Sequence, residues 1–264
     1  MSELLFTGER LHEGSKLFSV DLVRHRAAYA CAIEHARSGQ GQRILDLGCG
    51  TGYGTVLLAD AKLDVFAIDR ISPDAGARHE SVRYVRADAA AIPVIADAFD
   101  VVVSFQVIEH LEDPTAYLKA IAYMTRPGGV ALISTPNLLQ SDKENPFHVH
   151  EYEAGELTQL LKGYFDEVEM QGVSASPEPM AYYDERLRRI RKIMRIDPLG
   201  LRHLMPRRLI DWLFGKFAVI VRRGIQEGDG LPEVTLDDFP IVPANDRCLD
   251  LLAVCRRPKE GSGR

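Results

Sequence analysis

Apolar positions alternate along the chain between short continuous runs and helical spacings. Over residues 20–37, Val20, Val23, Ala27, Ala30 and Ile33 recur at helical intervals, and Ser38-Gly39 ends the run. Residues 43–47 form a short apolar strand that runs straight into glycines, and a small-residue helix follows at 55–59. Residues 64–69 predict a second strand whose unbroken apolar centre suits a sheet covered on both faces. Strands are further predicted at 82–85, 99–105, 130–134, 165–173 and 248–255, with helices at 114–124 and 154–161 between them. Alternation of this kind predicts an α/β fold: a doubly wound, mostly parallel seven-stranded sheet of the Rossmann-like type, with right-handed crossovers.

One segment breaks the rhythm. Residues 175–246 are too long for an ordinary connection. Within them, 185–223 carries twelve Lys/Arg against three Asp/Glu, a net of +9 in a chain whose overall charge is −6. Leu187, Ile190, Met194, Leu199 and Leu201 make one apolar stripe, and Leu209, Ile210, Trp212, Leu213 and Phe214, with Phe217 close behind, a second patch. The segment reads as a basic helical insert before the last strand, its apolar side packing on the core or across a homodimer interface with the arginines solvated, or else a substrate lid that touches anionic membrane or a lipid-linked substrate. The division expected is 1–40 as an N-terminal helical cap, 41–174 as the ligand-binding core, 175–246 as the insert and 247–264 as the last core strand and tail.

Composition narrows the class. With 46% hydrophobic and 27% charged residues, the chain excludes disorder and small disulfide scaffolds. The acidic balance gives no global sign of a nucleic-acid partner. Cys31, Cys49, Cys248 and Cys255 include no CxxC pair, and no metal is expected from them. The first ten residues lack a basic start and an apolar run, so the expected location is cytoplasmic, with peripheral contact at the inner membrane if the insert binds lipid.

The chemistry gathers at Asp46-Leu47-Gly48-Cys49-Gly50-Thr51-Gly52-Tyr53, where a strand meets a helix. Glycines there allow a tight turn and close approach to a ligand. A dinucleotide oxidoreductase is disfavoured, because Tyr53 stands where that fingerprint wants its last glycine, and the Asp46 carboxylate would repel a pyrophosphate but attract a cationic, amino-bearing ligand.

These residues resemble the class I S-adenosylmethionine-dependent methyltransferases, and further motifs follow in order. The 44–52 segment resembles the loop that cradles the cofactor's methionine part, with Asp46, Gly48, Cys49, Gly50 and Gly52. The resemblance assigns the ribose hydroxyls to Asp69, beside Arg70, and the adenine amino group to Asp88-Ala89. Phe105, Gln106 and Val107, ending the fourth strand, are expected to contact adenine and the methyl donor. Glu109 and His110 are read as holding the loop, and Arg126-Pro127-Gly128-Gly129 matches the turn before the fifth strand. On this reading 41–174 is the S-adenosylmethionine-binding core. The alternative of a catalytically silent cofactor-binding module is weakened by the intact motifs.

For the acceptor, Ser104-Phe105-Gln106-Val107 replaces the Asn/Asp-Pro-Pro-aromatic loop of enzymes that methylate planar amino groups, which disfavours nucleic-acid and translation-factor substrates. His148 and His150, two apart in an extended stretch after the fifth strand, are expected to share a face and to supply a general base for a hydroxyl, with His110 as the next choice. The alternatives are a structural role, with His150 and Glu151 introducing the helix at 154, and a metal site, for which two histidines are too few, so no metal is expected. The whole chain is similar to small-molecule O-methyltransferases of the quinone-biosynthesis and sugar-modifying kind. That resemblance implies O-methylation of a small molecule, sugar or lipid-linked saccharide, with N- or C-methylation of a small metabolite as the alternative.

Overall fold

The computed structural model describes residues 18–39, 41–73, 75–88, 96–141, 143, 145, 147–194 and 230–259. Helix α1 spans Ser19–Ser38 and buries Ala28, Ala32 and Ala36, a one-sided stripe at intervals of four. Then come β1 (Arg43–Leu47), α2 (Tyr53–Asp60), β2 (Asp64–Asp69), β3 (Arg83–Arg86), β4 (Phe99–Phe105), α3 (Thr115–Met124) and β5 (Thr125–Pro136). The chain continues through α4 (Ala154–Leu161), β6 (Phe165–Val173), α5 (Pro177–Met194), β7 (Ile241–Pro243) and β8 (Asp250–Pro258).

The strands form one sheet in the order β3-β2-β1-β4-β5-β8-β6-β7. β3, β2, β1, β4 and β5 run parallel to their neighbours, and β8, β6 and β7 pair antiparallel beyond them. Side chains alternate between two apolar layers, as the pleat requires. Leu45, Leu47, Val102, Ala131 and Ile133 pack toward α3 and α4, whereas Ile44, Val101, Val103 and Leu132 pack toward α1 and α2. Burial on both faces explains why these strands read as continuous apolar runs.

The sheet has eight strands rather than the seven expected. The additional one, β7, has three residues and joins β6 through Gln171–Val173. Pro240 precedes it and Pro243 is its last residue, and prolines, which donate no ladder hydrogen bond, confine such a segment to a sheet edge.

The start of the expected insert folds back as α5. Met180, Tyr182, Tyr183 and Ile190 pack with Val20 and Ala27 of α1 and with Phe239. Several of its arginines are paired: Arg186 with Asp21, and Arg188 and Arg189 with Glu185. The rest of the basic stretch, with Leu199, Leu201, Trp212, Leu213, Phe214 and Phe217, lies outside the described residues, as do Ala89 and the N-terminal segment. Among the described residues no helix is long and apolar enough to cross a membrane.

Candidate active site

Strand order reverses at β1: the chain goes outward to β2 and β3, then returns to place β4 on the other side of β1. At such a point the loops leaving two neighbouring strands part, opening a crevice at their carboxyl ends. Here those loops carry Gly48–Gly52 after β1 and Gln106–His110 after β4.

Gly48 and Gly50 both take left-handed backbone angles, at φ +88° and +55°. A Cβ on Gly48 would overlap the Val107 side chain, so glycine there lets the two loops close against each other. Gly50 is different: among the described residues nothing lies within 4 Å of where its Cβ would be, leaving its backbone open to a ligand.

Asp69 ends β2 beside this loop. Its Oδ2 accepts the Gly50 N–H at 2.9 Å and its Oδ1 accepts the Ile71 N–H at 2.9 Å. A carboxylate offers about four acceptor positions, so two remain for the hydroxyls of a ribose. Arg70 and Asp88 follow on exposed positions. The Ala87 N–H donates to the Asp69 carbonyl, tying the segment before Asp88 to the end of β2.

Asp46 lies fully buried and turned toward α1 and α2. It accepts from Thr55 Oγ1 at 2.6 Å and from the Tyr29 hydroxyl at 3.4 Å. Burial pushes its carboxyl up to about 7, against the pull of these two donors. The sequence reading has Asp46 facing the ligand; in the structure its oxygens are taken up by Tyr29 and Thr55. Cys49 is also buried, and its N–H donates to the Ile68 carbonyl. Phe105 packs edge-on against Tyr29, with ring centroids 4.8 Å apart. Gln106 takes φ +58°, and its N–H donates to the Ser134 carbonyl, which turns the chain sharply off β4.

The turn after β4 carries a polar group. Glu109 is fully buried, accepts from Thr135 through Oε2 at 3.2 Å, and has its carboxyl held above the usual range by burial. His110 and His148 meet ring to ring at 5.2 Å, and His148 Nδ1 sits 2.6 Å from Glu151 Oε1. His148 and His150 do not share a face. The Val149 and His150 N–H groups both donate to the Glu109 carbonyl, which bends the stretch out of extended geometry. His150 is half exposed, pairs with Glu156 at 2.7 Å and stacks edge-on against Tyr152. The Glu109 carbonyl and His110, whose Nδ1 meets the Phe147 carbonyl at 2.9 Å, thus hold the loop that carries His148, the role the sequence gives them. What the sequence does not show is that His148 joins them.

A second polar group, on α1, also escaped notice. Arg24 pairs with buried Asp250 at 3.2 Å and stacks over Tyr183. His25 receives a hydrogen bond from Arg24 at Nε2, so its Nδ1–H donates to the Tyr53 hydroxyl at 3.0 Å. Burial first, and Arg24 second, push the His25 pKa down to about 3, with Asp21 opposing. Below its ordinary value near 6.5 the unfolded chain therefore binds a proton that the folded chain refuses. The neutral His25 contributes fully above pH ~6.5, and stability falls as pH drops toward 3, by at most about 1.4 kcal/mol per pH unit. Urea unfolding at a series of pH values should show a shallower acid slope for His25→Gln. An identical slope would remove His25 as its source.

The comparisons agree with this geometry. A family model described as a methyltransferase domain matches residues 22–216. A probable S-adenosylmethionine-dependent methyltransferase of Mycolicibacterium smegmatis is 32% identical across 97% of this chain and 96% of its own length. A ubiquinone biosynthesis O-methyltransferase of Dinoroseobacter shibae is 32% identical over 42% of this chain and 48% of its own. A Thermotoga maritima structure, described as a methyltransferase with possible histamine N-methyltransferase activity, shares the fold at TM-score 0.55 and 15% identity, covering 90% and 93% of the two chains. The open glycine loop with a carboxylate beside it fits the same cofactor, and the chain belongs to the S-adenosylmethionine-dependent methyltransferases.

Proposed function

We propose that the enzyme O-methylates a hydroxylated small molecule, a sugar or a lipid-linked saccharide, and that His148 with Glu109 and His110 addresses the acceptor. The observation that carries this reading is the Glu109–His110–His148 cluster, with Glu109 buried and both imidazoles partly exposed, at the turn whose Val107 meets Gly48, and with Glu151 holding the His148 ring. The partial similarity to a ubiquinone O-methyltransferase supports a hydroxyl acceptor. When bound, S-adenosylmethionine supplies an activated methyl group; the acceptor oxygen takes it, the S–C electron pair stays on sulfur, and the hydroxyl proton leaves to a base or to solvent. The protein's part is to place the hydroxyl and ease that proton's departure.

Asp69 and the backbone of Gly48–Gly52 would hold the cofactor, and Phe105–Val107 would border it. His150, turned to Glu156, would stand outside the chemistry. A screen of hydroxylated acceptors with isotopically labelled cofactor should yield methyl ethers, and methyl on nitrogen or carbon would overturn the reading. With the acceptor found, His148→Ala should lower turnover about 100-fold, in the range of a lost proton-handling group. Cofactor affinity should change by less than about threefold, or ~0.7 kcal/mol. His150→Ala should change neither; a loss confined to His150→Ala would move the acceptor to the exposed side of that loop.

A further inference from the structure

The geometry points to a divalent-cation site built by Glu109, His110 and His148, with the cation at the acceptor end of the crevice. This rests on the acceptor-side reading above and goes beyond it. One ligand atom from each of the three residues lies within 4.8 Å of the others. Bonds of ~2.0–2.2 Å from such donors need only small side-chain movements to close that triangle.

The hydrogen bonds around the triangle prepare it. The Phe147 carbonyl can only accept, so at 2.9 Å it takes the proton of His110 Nδ1 and leaves the ring's lone pair on Nε2. The Glu151 carboxylate, 2.6 Å from His148 Nδ1, orients the second ring in the arrangement that commonly backs metal-bound imidazoles. Glu109 supplies the independent sign. It is fully buried, its Oε2 accepts from Thr135, and among the described residues its Oε1 meets no hydrogen-bond donor. A buried carboxylate oxygen left in that state is unfavourable, and a cation provides the missing partner.

The backbone reinforces the cluster. The Glu109 carbonyl accepts from Val149 and His150 at 2.7 and 3.2 Å, which ties the loop carrying His148 to the turn carrying the other two ligands. One carboxylate and two imidazoles suit a first-row cation such as manganese, iron, cobalt or zinc better than calcium, which favours all-oxygen shells. Three protein ligands leave coordination positions for the acceptor. A hydroxyl bound there would lose its proton more readily, and an acceptor with two adjacent oxygens would be oriented by both. His148 would then act as a ligand and not as a free base.

The test uses tag-free, chelator-stripped protein with no cofactor or acceptor present. Calorimetric titration with manganese(II), and separately with zinc(II), should show one cation per chain and a raised melting temperature. Affinity should fall at least tenfold in Glu109→Gln and His148→Gln, and about tenfold in Glu151→Gln. His148 lies on a surface loop, so its variant remains informative if Glu109→Gln does not fold. Wild-type protein that binds no cation, or equal binding by wild type and folded His148→Gln, overturns the site. Absence of binding together with lost turnover in His148→Ala overturns the cation alone and leaves the acceptor reading in place. Binding that disappears in His148→Ala while its turnover stays normal supports the cation site and overturns the acceptor reading.

Discussion

Asp69→Ala should lower S-adenosylmethionine affinity at least 100-fold while the chain remains folded. In the folded protein each Asp69 oxygen already holds one backbone N–H, of Gly50 and of Ile71, so the carboxylate is fixed before any ligand arrives. A ribose diol would add two charge-assisted hydrogen bonds, each worth about 1.5–3 kcal/mol. Alanine removes both and also frees the loop at Gly50. The combined loss of ~3 kcal/mol or more corresponds to at least two decades in affinity. Titration calorimetry reads the affinity and circular dichroism the fold. Unchanged affinity in a folded variant would remove Asp69 from the cofactor site.

Gly48→Ala should be among the most destabilising single-methyl changes in the chain. A non-glycine residue at φ +88° costs roughly 1–2 kcal/mol, and the new Cβ must also displace Val107, at about 1–3 kcal/mol for overpacking. Adding Val107→Ala should recover the steric part and leave the backbone part, so the two changes should couple favourably in a double-mutant cycle. Denaturant unfolding of the four proteins reads this coupling. Strict additivity would mean that the loops after β1 and β4 do not meet as the structure has them.

The parts of the fold readable from the sequence are those governed by local period. Val101, Val102 and Val103 point alternately to two apolar layers, and that double burial is what an unbroken apolar run expresses. Local pattern also exposes Gly48–Gly52, since a glycine cluster directly after a buried strand has few other uses. β7 is too short for any period, and its pairing with β6 is a matter of chain geometry.

The acceptor side was hard to read for a related reason. His148 joins Glu109 and His110 across nearly forty residues, through N–H groups of Val149 and His150 that reach back to the Glu109 carbonyl. Side-chain spacing alone put His148 and His150 on one face, because it assumes an extended backbone that those two hydrogen bonds prevent. The network of Arg24, His25, Tyr53 and Asp250 is likewise tertiary. Helical spacing predicts that α1 has a buried face, but not that this face covers the ends of β1 and β8.

A crystal structure of the protein with S-adenosylhomocysteine tests the central claim most directly. The ribose should sit on Asp69, the homocysteine on the backbone of Gly48–Gly52, and the sulfur should face Glu109, His110 and His148. A cofactor bound with its sulfur turned away from that cluster, or with its ribose away from Asp69, would contradict the account.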